Sequence, residues 1–174
     1  MDVVKFELKS AIGGLKETQK FDIVFFHDGK TESFAAGEPV EATRENRGKA
    51  VQFLQGITAH GTADAGDAFK LAFQQHPQLV YLLAGSDFGD NGVVLTAFRE
   101  LNKQAKAKVN TISLLSKSEQ DASLVELLQT IAKENHGNLK TVAFEDLRAQ
   151  EKARSHAASA TQPTTRPSTK PSGA

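Results

Sequence analysis

The apolar residues of the chain change their spacing several times, and these changes predict alternating helices and strands. In the first 15 positions they recur at helical intervals. The run FDIVFF at 21–26 is short, apolar and rich in β-forming residues, which is typical of a buried strand. Similar runs at 79–84, 109–115 and 139–144 predict three more buried strands.

The segments between these strands have helical periodicity and carry residues that cap helices. A helix is predicted from Thr43 to Ile57, and the predicted capping residues of the next three helices are Thr62, Asp90 or Asn91, and Ser123. Gly137 is expected to end the fourth of these helices, and a terminal helix is predicted from Glu145 to about Lys152. Strands that alternate with helices of this length indicate a parallel sheet with helices on both faces.

One connection joins two predicted strands directly, without a helix between them. Asp28-Gly29 lies between two strand-like runs, which is a strong hairpin signal. It makes 31–35 a short antiparallel edge strand. The predicted fold class is therefore α/β, with a doubly wound, mostly parallel sheet and one antiparallel edge strand.

The first element is a helix, whereas the first strand of a doubly wound sheet is usually central. We therefore expect the first central strand to be missing from this sequence.

The last part of the chain has a different composition. Residues 154–174 contain no large apolar side chain and are rich in Ser, Thr, Ala and Pro. Such a segment cannot bury enough apolar surface to offset the entropy lost on ordering. We predict an α/β domain at 1–153, incomplete at its N-terminus, and a disordered tail at 154–174.

Charge and composition exclude several classes of function. Lys plus Arg and Asp plus Glu both number 21, so the formal charge of zero argues against nucleic acid as a partner. The absence of cysteine excludes thiolate chemistry. No apolar run approaches the roughly 20 residues that span a bilayer. No signal peptide is visible at the start of the sequence, so a cytoplasmic location is expected.

The order of these elements resembles a von Willebrand factor type A domain of the bacterial branch. The helix VVKFELKSAIGGL leads into the strand FDIVFF, and HGTADAGDAFKLAF is similar to the family's Gly-Gly-Thr loop and helix. LVYLLAGSDFGD is similar to the family's strand that ends in Leu-Thr-Asp-Gly, and VNTISLL and ENHGN follow in the expected order. The resemblance covers about residues 1–147. It implies a doubly wound fold whose usual site is a metal-ion-dependent adhesion site.

Carried over residue by residue, the resemblance implies a degenerate metal site. The family builds its site from an Asp-x-Ser-x-Ser loop, a threonine and an aspartate. Thr62 matches the threonine, but Gly85 stands at the aspartate position, and the Asp-x-Ser-x-Ser loop has no counterpart here. Asp87 is a displaced carboxylate two positions later. We therefore expect no cofactor, and Mg²⁺ only if an Asp-x-Ser-x-Ser segment exists upstream.

The predicted function is a non-enzymatic protein–protein interaction module whose site works without metal. Its partner-binding edge would hold Thr62, Ser86 and Asp87, with Phe88 as a candidate apolar anchor. The alternative is a small-molecule or nucleotide-binding domain, or an enzyme, that uses the same loop edge.

The absent first strand has two interpretations as well. If the domain has lost it, the strands at 21–26 and 79–84 should pair directly; a gap between them would favour an upstream strand.

Overall fold

The computed structural model describes residues 2–27, 30–57, 65–86, 88–115 and 122–143. The helices are α1 (Asp2–Gly13), α2 (Arg44–Gly56), α3 (Gly66–Gln74), α4 (Asn91–Ala105) and α5 (Ala122–Glu134). The strands are β1 (Lys20–Phe21), β2 (Val24–His27), β3 (Lys30–Ser33), β4 (Val40–Glu41), β5 (Leu79–Ala84), β6 (Lys108–Leu115) and β7 (Leu139–Ala143). Thr62, Asp87, the terminal helix and the tail at 154–174 lie outside these residues.

The last three strands form a parallel sheet in the order β5-β6-β7. Leu79 is opposite Lys108, and Thr111 is opposite Leu139. Helices α4 and α5 connect these strands, as the alternating pattern predicts. The mixed α/β fold with a parallel sheet flanked by helices is thus confirmed.

The first part of the chain forms two antiparallel pairs. β2 pairs with β3 across Asp28-Gly29, with His27 opposite Lys30, so the predicted hairpin is confirmed. β1 pairs with β4, which the sequence pattern does not indicate. The predicted single strand at 21–26 is wrong in one respect, because it divides into β1 and β2 on either side of Asp22-Ile23.

The carboxylate of Asp22 explains this division. It accepts hydrogen bonds from the N–H groups of Ile23 and Ala35 at 2.7 and 2.8 Å. It also accepts one from the Ser33 hydroxyl at 2.7 Å and one from the Gln75 side chain at 2.9 Å. A carboxylate that takes up local backbone N–H groups competes with a strand ladder for them. Asp22 therefore ends β1 and joins the hairpin to the end of α3.

Replacing Asp22 with alanine is expected to lower the free energy of unfolding by about 2 kcal/mol, because four donors in a half-buried position lose their acceptor. Asp22→Asn keeps one acceptor oxygen and should lose less. Urea denaturation of the two variants would measure the difference. Equal losses in both would show that the carboxylate is not the organising group.

The two sides of the fold are covered by different helices. Val80, Leu82 and Ala84 pack with residues of α3, α4 and α5, including Phe69 and Leu128. Leu83 and its neighbours on the opposite face pack against Val4 of α1. Successive side chains of the hairpin strand β2 also point to opposite faces. Phe26 packs on the side of α3, whereas Phe25 packs with Ile12 of α1 and Leu54 of α2. Helix α1 therefore touches both sheets on one side, and α3 is shared between them on the other.

The hairpin and the parallel sheet are separate sheets. Within the described ranges, β2 pairs only with β3, and β5 pairs only with β6. The strands at 21–26 and 79–84 therefore do not pair directly, and the helices provide the packing that joins the two sheets. No helix in the described part of the chain is long and apolar enough to cross a membrane.

Candidate functional site

The candidate site lies where β5 ends, at the carboxyl edge of the parallel sheet. Gly85 and Ser86 follow the strand directly and are exposed. Gly89 has a φ of 87°, which lets the chain turn toward α4. Thr62 and Asp87, the other residues predicted for this edge, are not among the described residues. Of the four predicted residues, the structure places Ser86 and Phe88.

Phe88 does not protrude from this edge. Its side chain is 9% exposed and packs on Phe26 and Phe69, with ring centroids 5.9 and 6.1 Å apart. The ring is therefore buried in this structure, whereas the sequence predicts Phe88 as a candidate apolar anchor for a partner. The ring is a core side chain, because the hairpin and α3 bring two other phenylalanines to it. Neither contact is visible from the local sequence.

The N-terminus of α4 borders the same edge, and Asp90 caps it as predicted. The Asp90 carboxylate accepts hydrogen bonds from the N–H groups of Gly92 and Val93 at 2.8 and 3.1 Å. The next residue, Asn91, donates to the Ser123 hydroxyl at 2.6 Å. Helix α5 begins at Ala122, so Ser123 lies inside it. The prediction of Ser123 as the cap of this helix is wrong. The Asn91–Ser123 bond holds the starts of α4 and α5 together.

Between α3 and α4 there is an apolar cavity of about 170 Å³. Its walls are mostly aliphatic and aromatic and come from both helices and the β5–α4 loop: Ala65, Gly66, Phe69, Phe88, Asp90, Val93, Val94 and Ala97. Val93, which lines the cavity, is 65% exposed. An aliphatic side chain at the rim of an apolar cavity extends the apolar surface toward solvent. The sequence offers no local signal for this cavity, since its walls come from segments far apart in the chain.

Metal-ligating groups do not converge in the part of the chain that the structure describes. No three His, Asp or Glu side chains there lie close enough to hold a metal ion. Thr62 and Asp87, the two residues predicted as remnants of the metal site, fall outside those ranges. The degenerate metal site therefore remains a prediction.

Arg99, within α4, forms an ion pair with Glu134 at the end of α5. Arg99 donates to both carboxylate oxygens of Glu134, at 2.8 and 2.5 Å. The hydrogen bond from Arg99 holds the pKa of Glu134 below its usual value, and the positive charge adds to this effect. The same hydrogen bond to Glu134 raises the pKa of Arg99 above its usual value. This bidentate pair is consistent with a structural clamp between the two helices.

The comparisons with known proteins concern the fold. No family model and no curated protein match the chain. Among solved structures, the chain is similar to "von Willebrand factor type A from Catenulispora acidiphila", with a TM-score of 0.62 and 16% identity over 85% of this chain. The chain spans 36% of the length of that protein.

The chain also matches "Uncharacterized Membrane Spanning Protein from Vibrio fischeri". That match has 16% identity and covers 90% of this chain and 84% of the other, but its TM-score of 0.34 is too low to support an argument. At 16% identity the likeness to the Catenulispora acidiphila structure concerns the fold alone. The chain thus has a fold similar to the von Willebrand factor type A fold.

Proposed function

We propose that this chain is a non-enzymatic protein-interaction module of von Willebrand factor A type, and that it binds its partner without metal. The observation that carries the proposal is the apolar cavity between α3 and α4, whose lining includes Phe88 and Asp90 of the loop that follows β5. Interfaces without a metal depend on apolar anchors that fill pockets, surrounded by polar groups. The cavity supplies the pocket, and Asp90 supplies a polar group in its lining.

The volume of the cavity limits the size of the partner side chain that could fill it. At about 170 Å³ it is comparable with engineered cavities that take up benzene. It would therefore admit one leucine- or phenylalanine-sized side chain of a partner. Phe88 contributes as a wall of the cavity. Val93 is the exposed apolar contact next to it, and a bound partner would cover that side chain.

A displayed peptide library selected on the immobilised chain would test this function. We expect enriched peptides to share one apolar anchor, and Ala97→Leu to weaken their binding at least about tenfold because the new side chain fills the cavity. Gln104→Leu is the matched control, since Gln104 is an exposed residue of the same helix outside the cavity wall. Equal binding by the two variants would contradict a role for the cavity.

Metal independence has its own test. Calorimetric titration of the full chain with Mn²⁺ or Mg²⁺ should give no site-specific heat, and peptide binding should be unchanged by a chelator. A stoichiometric heat with micromolar affinity would contradict this part of the proposal, and would indicate that residues near Thr62 and Asp87 form a working site.

A thermal-shift screen with nucleotides addresses the alternative function. Stabilisation by a nucleotide would favour a ligand-binding domain.

A further inference from the structure

Three helices end at the amino edge of the parallel sheet, and the chain leaves each of them through a basic residue with a positive φ. These residues follow α3, α4 and α5 respectively: His76 at 49°, Lys106 at 52° and His136 at 57°. Glycine usually takes this conformation at a helix end, and other residues adopt it at a cost of about 1 kcal/mol or more. A basic side chain at all three ends therefore indicates a role beyond closing the turns.

Hydrogen bonds bring these helix ends against the start of the central strand. The Asn102 side chain of α4 bonds to Asn135, which follows α5. The N–H of Val109 in β6 donates to the carbonyl of Asn135 at 3.1 Å. The N–H of Lys108 donates to the carbonyl of Gln78, in the link between α3 and β5, at 3.0 Å. The ends of all three helices are therefore neighbours at this edge.

Positive charge accumulates at the same edge. The segments 99–108 and 133–138 contain five Lys or Arg residues and two acidic residues. Both acidic side chains form an ion pair with a cation of α4, as Glu134–Arg99 and Glu100–Lys103. The remaining lysines are exposed and form no ion pair within the described ranges: Lys106, Lys108 and Lys133. A chain with a formal charge of zero thus carries uncompensated positive charge here.

The other exposed groups of this edge favour a polypeptide as the anionic partner. Gln78 and Asn138 are exposed beside the lysines, and their amide groups can bond to a peptide backbone. The segments 99–108 and 133–138 contain no Phe, Tyr or Trp on which a nucleobase could stack. Their exposed residues are all polar or charged, whereas binding at a membrane surface requires a broad apolar face.

We propose that this basic edge is a docking surface for an acidic, extended segment of a partner protein. The carboxylates of the segment would pair with the three free lysines, and its backbone with Gln78 and Asn138. The strands are about 4.8 Å apart and a packed helix adds about 10 Å, so five or six extended residues would cross the edge. The basic edge lies at the opposite end of the sheet from the loop that lines the α3–α4 cavity, so it does not depend on the binding proposed there.

The test is fluorescence anisotropy of a fluorescein-labelled hexaglutamate peptide titrated with the full chain at low salt. Lys106→Gly removes one charge and relieves the left-handed backbone. Its affinity should fall at least about threefold, whereas its urea midpoint should be unchanged or higher. A triple variant that adds Lys108→Gln and Lys133→Gln should lose at least about tenfold. Added salt should weaken binding by the unaltered chain.

Three control variants separate charge, strain and the cavity. Ala36→Gly relieves the same backbone conformation, with a φ of 52°, but changes no charge, so peptide affinity should stay the same. Lys30→Gln removes an exposed lysine of the hairpin and should change affinity by less than about 1.5-fold. Ala97→Leu fills the α3–α4 cavity and should leave hexaglutamate binding unaltered, so a failure of one proposal is distinguishable from a failure of the other.

Three results would overturn the proposal. The first is the absence of saturable hexaglutamate binding at low salt. The second is an equal loss of affinity in Lys30→Gln and Lys106→Gly, because the attraction would then come from the whole chain. The third is tighter binding of a DNA duplex or of phosphatidylserine vesicles that the triple variant abolishes, which would assign the basic edge to another class of partner.

Discussion

Replacing Gly137 with alanine is expected to lower the free energy of unfolding by at least about 3 kcal/mol. A Cβ atom at this position would overlap the carbonyl oxygen and carbon of Val109 and lie 3.0 Å from the N atom of Asn110. Neither partner can move easily, because Val109 is fully buried in the central strand β6. The Gly137 N–H is also fixed by a 2.8 Å hydrogen bond to Ala132. The α5–β7 turn can therefore contain only glycine here.

Gly48→Ala is the matched control, and it should have the opposite sign. Gly48 lies inside α2, and a Cβ there would meet nothing within 4 Å. Alanine forms helix better than glycine, so the variant should gain about 0.5–1 kcal/mol. Urea denaturation of both variants measures the contrast. A Gly137→Ala loss below about 1 kcal/mol would mean that the turn relaxes and that the close approach of the two chain segments is dispensable.

Replacing Asn102 with alanine is expected to cost about 3 kcal/mol. Asn102 is 6% exposed, and its side chain forms two hydrogen bonds to Ala107, accepting from the N–H at 2.8 Å and donating to the carbonyl at 2.9 Å. It also donates to the side chain of Asn135, which in turn donates to the carbonyl of Ile131 at 2.7 Å. Alanine would leave the buried polar groups of Ala107 without these partners. The same network joins the end of α4 to the end of α5.

Thr96→Ala provides the comparison within α4. The Thr96 hydroxyl donates to the carbonyl of Gly92 in the same helix and is exposed. Its removal should change stability by less than about 0.5 kcal/mol, since alanine is the better helix former. Thermal unfolding of both variants would compare the buried network with an exposed intrahelical bond. Similar losses in the two variants would contradict the importance of the Asn102 network.

Features that depend on neighbouring residues could be predicted from the sequence. The limits of β5, the hairpin at Asp28-Gly29, and the cap Asp90 are all confirmed. Each is specified within a few residues, by an apolar run, a turn dipeptide or a side chain that reaches its own helix N-terminus.

The features that could not be predicted depend on partners far apart in the chain. The partners of Asp22 include Ala35 and Gln75, so a pattern that marks FDIVFF as one strand cannot show its division. Phe88 looks like a candidate anchor in its loop, but Phe26 and Phe69 enclose it. The α3–α4 cavity arises in the same way, from two helices and a loop. Local periodicity carries no information on such contacts.

The position of Tyr81 gives the protein a built-in optical probe. The chain contains one tyrosine and no tryptophan, so its intrinsic emission above that of phenylalanine comes from a single residue. That residue is 54% exposed and belongs to β5, which is an edge strand of the parallel sheet among the described residues. Quenching of tyrosine fluorescence by iodide or acrylamide would therefore report the solvent access of this one strand, in unlabelled protein and in real time.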